Sequence, residues 1–175
     1  YATFPDPSFE QNTNTRNNWT NPSDNEWGGW TLSVRESAVA IGNPKAEIVW
    51  NNREGGGAWG GAAWWYGFNS TNAWDNYEPA RFWATDGDKV MILKGKGYAT
   101  TTVSVPIDGD YVLSFDATAR IGCANAYPAL SLIDSHGTTN TFAKFHIPEG
   151  TGFRPYRFLI RNVRQGSYTF LIDTM

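Results

Sequence analysis

The chain has little of what staples or ligates. It carries one cysteine, Cys123, in 175 residues, and a single thiol closes no intrachain disulfide. Cys123 is either a nucleophile or a small buried hydrophobe. Only His136 and His146 are available as its base, and neither stands in a recognisable catalytic context. Cys123 is therefore expected to be a packing residue. Two histidines and one cysteine also exclude a zinc site of the usual kind. Clustered positive charge is missing as well. The 14 Lys and Arg are outnumbered by 17 Asp and Glu, for a net charge of −3, and no basic run draws the chain to nucleic acid or to an anionic membrane. No stretch reaches the roughly 18 consecutive apolar residues of a membrane-spanning helix. The first residue is Tyr1, with neither an initiator methionine nor a signal-like stretch. The expectation is a processed chain or a module of a longer protein.

What the chain has in abundance is aromatic. Nine Trp, eight Tyr and ten Phe make up 15% of it, with 18% charged residues and 18 glycines. This composition suits a secreted or cell-surface β-protein with an exposed binding surface. Helical periodicity is nearly absent. Short alternating runs bounded by Gly, Pro, Asn and Asp dominate, which predicts an all-β antiparallel sandwich. The clearest runs are YATTTVSVPI (98–107), YVLSFDATARI (111–121), ALSLIDSHGTTNTFAKFHI (129–147) and FRPYRFLIRNVRQGSYTFLIDTM (153–175). Asp108-Gly109 is a hairpin turn signal, and Asp134-Ser135-His136-Gly137 is expected to close a second hairpin. A further turn is expected at Arg164-Gln165-Gly166. In 111–121, Tyr111, Leu113, Phe115, Ala117 and Ala119 should face a core. Val112, Ser114, Asp116, Thr118 and Arg120 should form a polar outer face. Earlier strands are expected at 30–34, 37–42, 46–50, 80–85 and 89–95. Residues 13–29, rich in Asn, Thr, Asp and Gly, are expected to be irregular. The count is about ten strands in a single domain over 1–175, with no internal repeat. Asn18-Trp19-Thr20 and Asn69-Ser70-Thr71 match the glycosylation sequon, which matters only in a source that glycosylates.

Three features occur in order: PDPSFE (5–10) followed by GGWTLS (28–33), then TDGDKVMILKGKGYATTTVSVPIDGDYVLSFDATAR (85–120), and finally GSYTFLIDTM (166–175). This order resembles the galactose-binding-like jelly rolls, and within them the carbohydrate-binding modules of the xylan- and glucan-binding families. Pro7 departs from the glycine usual there. The resemblance covers nearly the whole chain except about 51–79, which reads as an aromatic, Gly-rich insertion. It implies a jelly-roll sandwich. It also implies a structural calcium ion joining the first and last strands, with Glu10 and Asp173 at the matching positions. Calcium takes six to eight hard oxygens, so two carboxylates plus carbonyls suit it. The plainer alternative makes Glu10 and Asp173 ordinary surface carboxylates at strand ends.

Two surfaces are candidates for a ligand. The first is the stretch EGGGAWGGAAWWYGFNSTNAWDNYEPARFW (54–83). Trp64, Trp65 and Tyr66 are consecutive, so an extended chain cannot turn all three to one core. Small residues flank Trp59. Exposed aromatic clusters mark binding sites, and Trp offers a sugar's C–H face a large ring at little entropic cost. Trp59, Trp64, Trp65, Tyr66 and Trp74 either stack on sugar or fill a minicore under a long loop. Trp30, which opens a strand, is expected in the core, and Trp83 is open between the two. The second surface is the polar face of 111–121, with Asp116 and Arg120 on it and Asn125 and Tyr127 at its rim. Asp116 and Arg120 either meet hydroxyls or form a solvated ion pair of little worth.

Three functions follow. The first is a non-catalytic polysaccharide-binding module, carrying an appended enzyme or a cell to β-glucan, xylan or mannan. The second is a structural or protein-interaction module beside neighbouring domains. The third is a glycoside hydrolase or lyase. Hydrolysis needs two carboxyl groups about 5–9.5 Å apart, and only Glu54, Asp75 and Glu78 share a loop that could bring them together. No strand sets two on one face.

Overall fold

The structure is a computed structural model. It describes Ala2, Phe4 and residues 25–27, 29–34, 45–50, 89–94, 97–119, 126–149 and 152–174. Ten strands run through these residues: β1 (Asn25–Trp27), β2 (Trp30–Val34), β3 (Lys45–Trp50), β4 (Lys89–Lys94), β5 (Gly97–Val105), β6 (Gly109–Ala117), β7 (Pro128–Ile133), β8 (Thr139–Lys144), β9 (Arg154–Val163) and β10 (Gly166–Thr174). All pairings between them are antiparallel. One sheet has six strands in the order β1-β2-β5-β10-β7-β8, and β3-β4 and β6-β9 form two further pairs.

The sandwich follows from alternation. On the six-stranded sheet, Trp30, Leu32, Ala99, Val103, Val105, Leu130, Leu132 and Phe170 face inward and are buried. Across from them β6 contributes Tyr111, Leu113 and Phe115, and β9 contributes Phe158, Ile160 and Val163. These residues pair across the two strands, Tyr111 with Ile160, Leu113 with Phe158 and Phe115 with Tyr156. Period-two patterning on both layers thus gives two apolar faces, which bury each other. Trp30 lies in this core as expected. It is 4% exposed, stacked on Phe4 at 6.1 Å and edge-on to Phe170 at 6.3 Å.

Two features depart from the sequence reading. Asn25–Trp27 is a strand rather than irregular chain. Trp27 pairs with Trp30 and Asn25 with Leu32, so the chain turns back tightly before Trp30. Gly29 takes φ 87°, a conformation that such tight connections require and that glycine adopts without strain. The second departure is at Asp108-Gly109, which turns the chain but closes no hairpin. Both edges of β5 are already occupied, by β2 and by β10, so the next strand crosses to the other layer and pairs with β9.

Residues 164–165 make the return crossing beside it, and one carboxylate clamps both corners. Asp108 Oδ1 accepts the Gln165 N–H at 2.7 Å, and its Oδ2 accepts Arg164 Nη1 at 2.8 Å. Nearby, Asp110 Oδ1 accepts the N–H of Asn162 at 2.8 Å, where the backbone has φ 54°. Each corner also carries a tyrosine that ties back four residues. Tyr111 donates its hydroxyl to the Ile107 carbonyl at 2.7 Å, and Tyr168 donates to that of Arg164 at 3.0 Å.

The hairpin at 134–137 forms as expected. Asp134 Oδ1 accepts the N–H groups of His136 (2.9 Å) and Thr138 (2.8 Å), while Gly137 takes φ 82°. Both turn aspartates therefore sit below the ordinary carboxyl pKa. For Asp108 the first cause is the Gln165 N–H, followed by Arg164; for Asp134 it is the Thr138 N–H. A carboxyl whose pKa is lower folded than unfolded contributes stability above the unfolded value of 3.8. That contribution is lost as pH falls through the folded value. Melting temperature is thus expected to hold steady above about pH 5 and to decline below about pH 4. Asp108→Asn should show a shallower decline, and an identical profile for that variant would contradict this assignment.

Candidate functional site

The sandwich has two distinct ends. At one end lie both corners and the 134–137 hairpin. At the other, β6 and β10 finish, and β5, β7 and β9 begin. The sequence-predicted residues that the structure describes, Asp116, Tyr127 and Asp173, all lie at this second end. Glu10, Trp59, Trp64, Trp65, Tyr66, Trp74, Arg120 and Asn125 lie outside the described residues, as do Cys123 and Trp83.

Asp116 sits near the end of β6 and is exposed. Its strand alternates as the sequence predicted, with Val112, Ser114 and Asp116 outward. Sheet pairing adds what the sequence reading missed. Val112 lies opposite Leu159, Ser114 opposite Arg157, and Asp116 opposite Pro155. All four outward positions of β9 from 155 to 161 are exposed. The outer face of β6-β9 therefore combines a carboxylate, a hydroxyl and a guanidinium with two apolar side chains, Val112 at 65% and Leu159 at 48% exposure. Arg161, further along the face, reaches Asp110 at 3.8 Å. The signal for Arg157 was available, because the run PYRFLIRNV alternates as clearly as β6 does.

Beneath the Asp116 end lies an aromatic cluster that fixes this face. Phe145 approaches Phe158 at 4.8 Å and Tyr156 at 5.1 Å. Phe115 stands about as far from Phe145 (5.9 Å) as from Tyr156 and Phe158 (6.0 Å each). Ring contacts of this kind add roughly 0.5–1.5 kcal/mol beyond area burial. Burial raises the Tyr156 hydroxyl pKa. Many of the aromatic side chains whose burial is described are thus core, whereas Tyr127 is exposed at 62%.

Asp173 is different in kind. It lies near the end of β10, in the middle of the six-stranded sheet, between Tyr98 of β5 and Ala129 of β7. Only 7% of it is exposed. A carboxylate so withdrawn from water needs compensation by hydrogen bonds or a cation. It is therefore not the ordinary surface carboxylate of the plainer alternative. Among the described residues no group of three or more His, Cys, Asp or Glu gathers around it or elsewhere.

A cavity of about 370 Å³ lies between the layers, lined by core residues including Val103, Leu113, Ile160 and Phe170. Its polar lining is Asp110 and Tyr111, and both are engaged in the corner bonds described above. Among the described residues its walls are thus mainly apolar.

These observations define an antiparallel β-sandwich with an exposed mixed face on one pair of strands and a buried carboxylate at the same end. Two solved structures similar to it are carbohydrate-binding modules. One is the CBM22-1 xylan-binding domain from Paenibacillus barcinonensis Xyn10C, with TM-score 0.46 and 12% identity over 84% of this chain and 76% of that one. The other is the carbohydrate binding module CBM6cm-2 from Cellvibrio mixtus lichenase 5A in complex with cellotriose. Its TM-score is 0.37, with 18% identity over 51% of this chain and 70% of that one. No family model matches the chain, and no curated protein does.

Proposed function

We infer that this chain is a non-catalytic, extracellular carbohydrate-binding module that holds a larger protein on a β-linked polysaccharide such as β-glucan, xylan or mannan. The observation that carries the reading is the outer face of β6-β9. There Asp116, Ser114 and Arg157 stand exposed beside Val112 and Leu159, on strands anchored from below by packed rings. A sugar asks for this combination: carboxylate and guanidinium groups for its hydroxyls, apolar contact for its C–H faces. Arg120 belongs to this face in the same reading, and Asn125 to its rim. Tyr127, expected at that rim, shares the end but faces outward from the six-stranded sheet, because its partner His146 alternates with the inward Phe145. Trp59, Trp64, Trp65, Tyr66 and Trp74 are its stacking rings.

The test is affinity electrophoresis through gels containing xylan, mixed-linkage β-glucan, mannan or no polymer. Retardation by one polymer class is the expected result, with dissociation constants between micromolar and millimolar, about −8 to −4 kcal/mol. A folded chain that no polymer retards would shift the reading to a module that docks neighbouring domains through Val112 and Leu159.

Calcium belongs to this reading as a structural ion. The buried Asp173 carboxylate is the hard oxygen donor that calcium takes, and Glu10 is its proposed partner from the first strand. When bound, the ion would contribute charge compensation and a tie between chain ends. Chelation with EDTA is expected to lower the melting temperature, and added calcium to restore it. At a hundredfold excess over the dissociation constant the gain is about 2.7 kcal/mol. Asp173→Asn should abolish the calcium response. A melting temperature indifferent to EDTA in the parent chain would remove calcium from the account.

A further inference from the structure

The β7-β8 ladder does not stop at the strand ends. Beyond Ala129 and Lys144, which are paired, the Phe145 N–H donates to the Pro128 carbonyl at 3.2 Å. One step further, Ala126 and Ile147 exchange two backbone bonds, of 3.1 and 2.8 Å. Tyr127 and His146 therefore stand directly opposite each other, with main-chain bonds on both sides. Their rings are stacked at 4.9 Å and 18°. Both residues are exposed, Tyr127 at 62%. By alternation the exposed Lys144 shares the strand face of His146, two residues away.

We propose that Tyr127, backed by His146, is a stacking platform for one pyranose ring of gluco or xylo configuration. The inference rests on the glycan-binding reading above and gives Tyr127 a contact of its own, on the outer side of the six-stranded sheet. An exposed tyrosine ring held on a ladder differs from one on a loose loop. Its orientation is fixed before binding, so little ordering entropy is lost when a sugar arrives. His146 covers one face of the ring and leaves the other to the ligand. Sugars with all-equatorial hydroxyls present only C–H on both faces, which suits a flat ring, and their hydroxyls lie at the edge. There the Lys144 ammonium, a three-donor group on a flexible stem, serves as hydrogen-bond donor. Tyr127 touches the sugar; His146 acts through Tyr127 and is a positioning residue.

The experiment measures the affinity of the full chain for whichever polymer retards it, with xylan and mixed-linkage β-glucan as the probes. Tyr127→Leu keeps apolar bulk but loses the flat ring, and is expected to weaken binding about fivefold or more. Tyr127→Phe should bind as the parent does. His146→Ala should weaken binding about threefold in the parent and have no further effect beside Tyr127→Leu. A residue that merely supports the fold would not show that dependence on its partner. Because both side chains are exposed, melting temperatures should stay within a degree or two of the parent. If Tyr127→Leu binds as the parent does, the platform is overturned while the glycan-binding reading stands. If the parent itself is not retarded by any polymer, both fall.

Discussion

Phe170→Ala is expected to cost about 3–5 kcal/mol, a large part of the roughly 5–15 kcal/mol that holds a domain of this size together. Phe170 is 3% exposed and sits midway along β10, the strand that pairs with both β5 and β7. Phe4 meets it edge-on at 5.1 Å and Trp30 at 6.3 Å, while Phe142 stacks on it at 6.4 Å. Truncation removes one ring's transfer energy and leaves a cavity at the meeting point of three others. Close packing lets neighbours relax into such a hole only in part. Urea denaturation measures the loss directly. A change below about 1 kcal/mol would mean that the site collapses freely and that this cluster is not the centre of the core.

The second large effect is on binding. Asp116→Ala and Arg157→Ala are each expected to lower affinity for the retarding polysaccharide about tenfold, the equivalent of about 1.4 kcal/mol. Hydrogen bonds to charged groups contribute about 1.5–3 kcal/mol, and both side chains stand exposed on the same outer face. Arg161→Ala is the control. It lies on the same strand face, but its guanidinium approaches Asp110 near the corners, away from the Asp116 end. Affinity should drop for the first two variants and hold for the third, at unchanged melting temperature. Equal affinity in all three would remove the β6-β9 face from the site.

The strand pattern could be read from the sequence where one element announces itself alone. WTLSV gave β2 to the residue, and the alternation of 111–117 gave both faces of β6, because a strand buried on one side must repeat every second residue. Partnership could not be read in the same way. Asp108-Gly109 is a turn in the sequence and a turn in the structure, yet nothing local says whether the next strand stays in its sheet. The occupied edges of β5 decide that, through β2 and β10, which lie far away in sequence. Asn25–Trp27 was missed because three residues carry no period, and only the Gly28-Gly29 pair hinted at a hairpin. Alternation alone could have turned Arg157 outward but not placed it beside Ser114, and the same limit hid His146. Each matters through its register opposite a residue on another strand, Ser114 for one and Tyr127 for the other, and register is a property of the assembled sheet. Asp173 was singled out by resemblance; its burial in the middle of a sheet emerged only with the fold.

The central claim is that a glycan binds the exposed end of this sandwich. Amide chemical-shift mapping tests it most directly, by titrating the chain with an oligosaccharide of the retarding polymer. Saturable shifts are expected at Ser114, Asp116 and Arg157 on the outer face of β6-β9 and, as a separate contact on the outer side of the six-stranded sheet, at Tyr127 and His146, with the corner residues Asp108, Asn162 and Gln165 unmoved. Shifts confined to the corners, or none at millimolar sugar, would contradict the account.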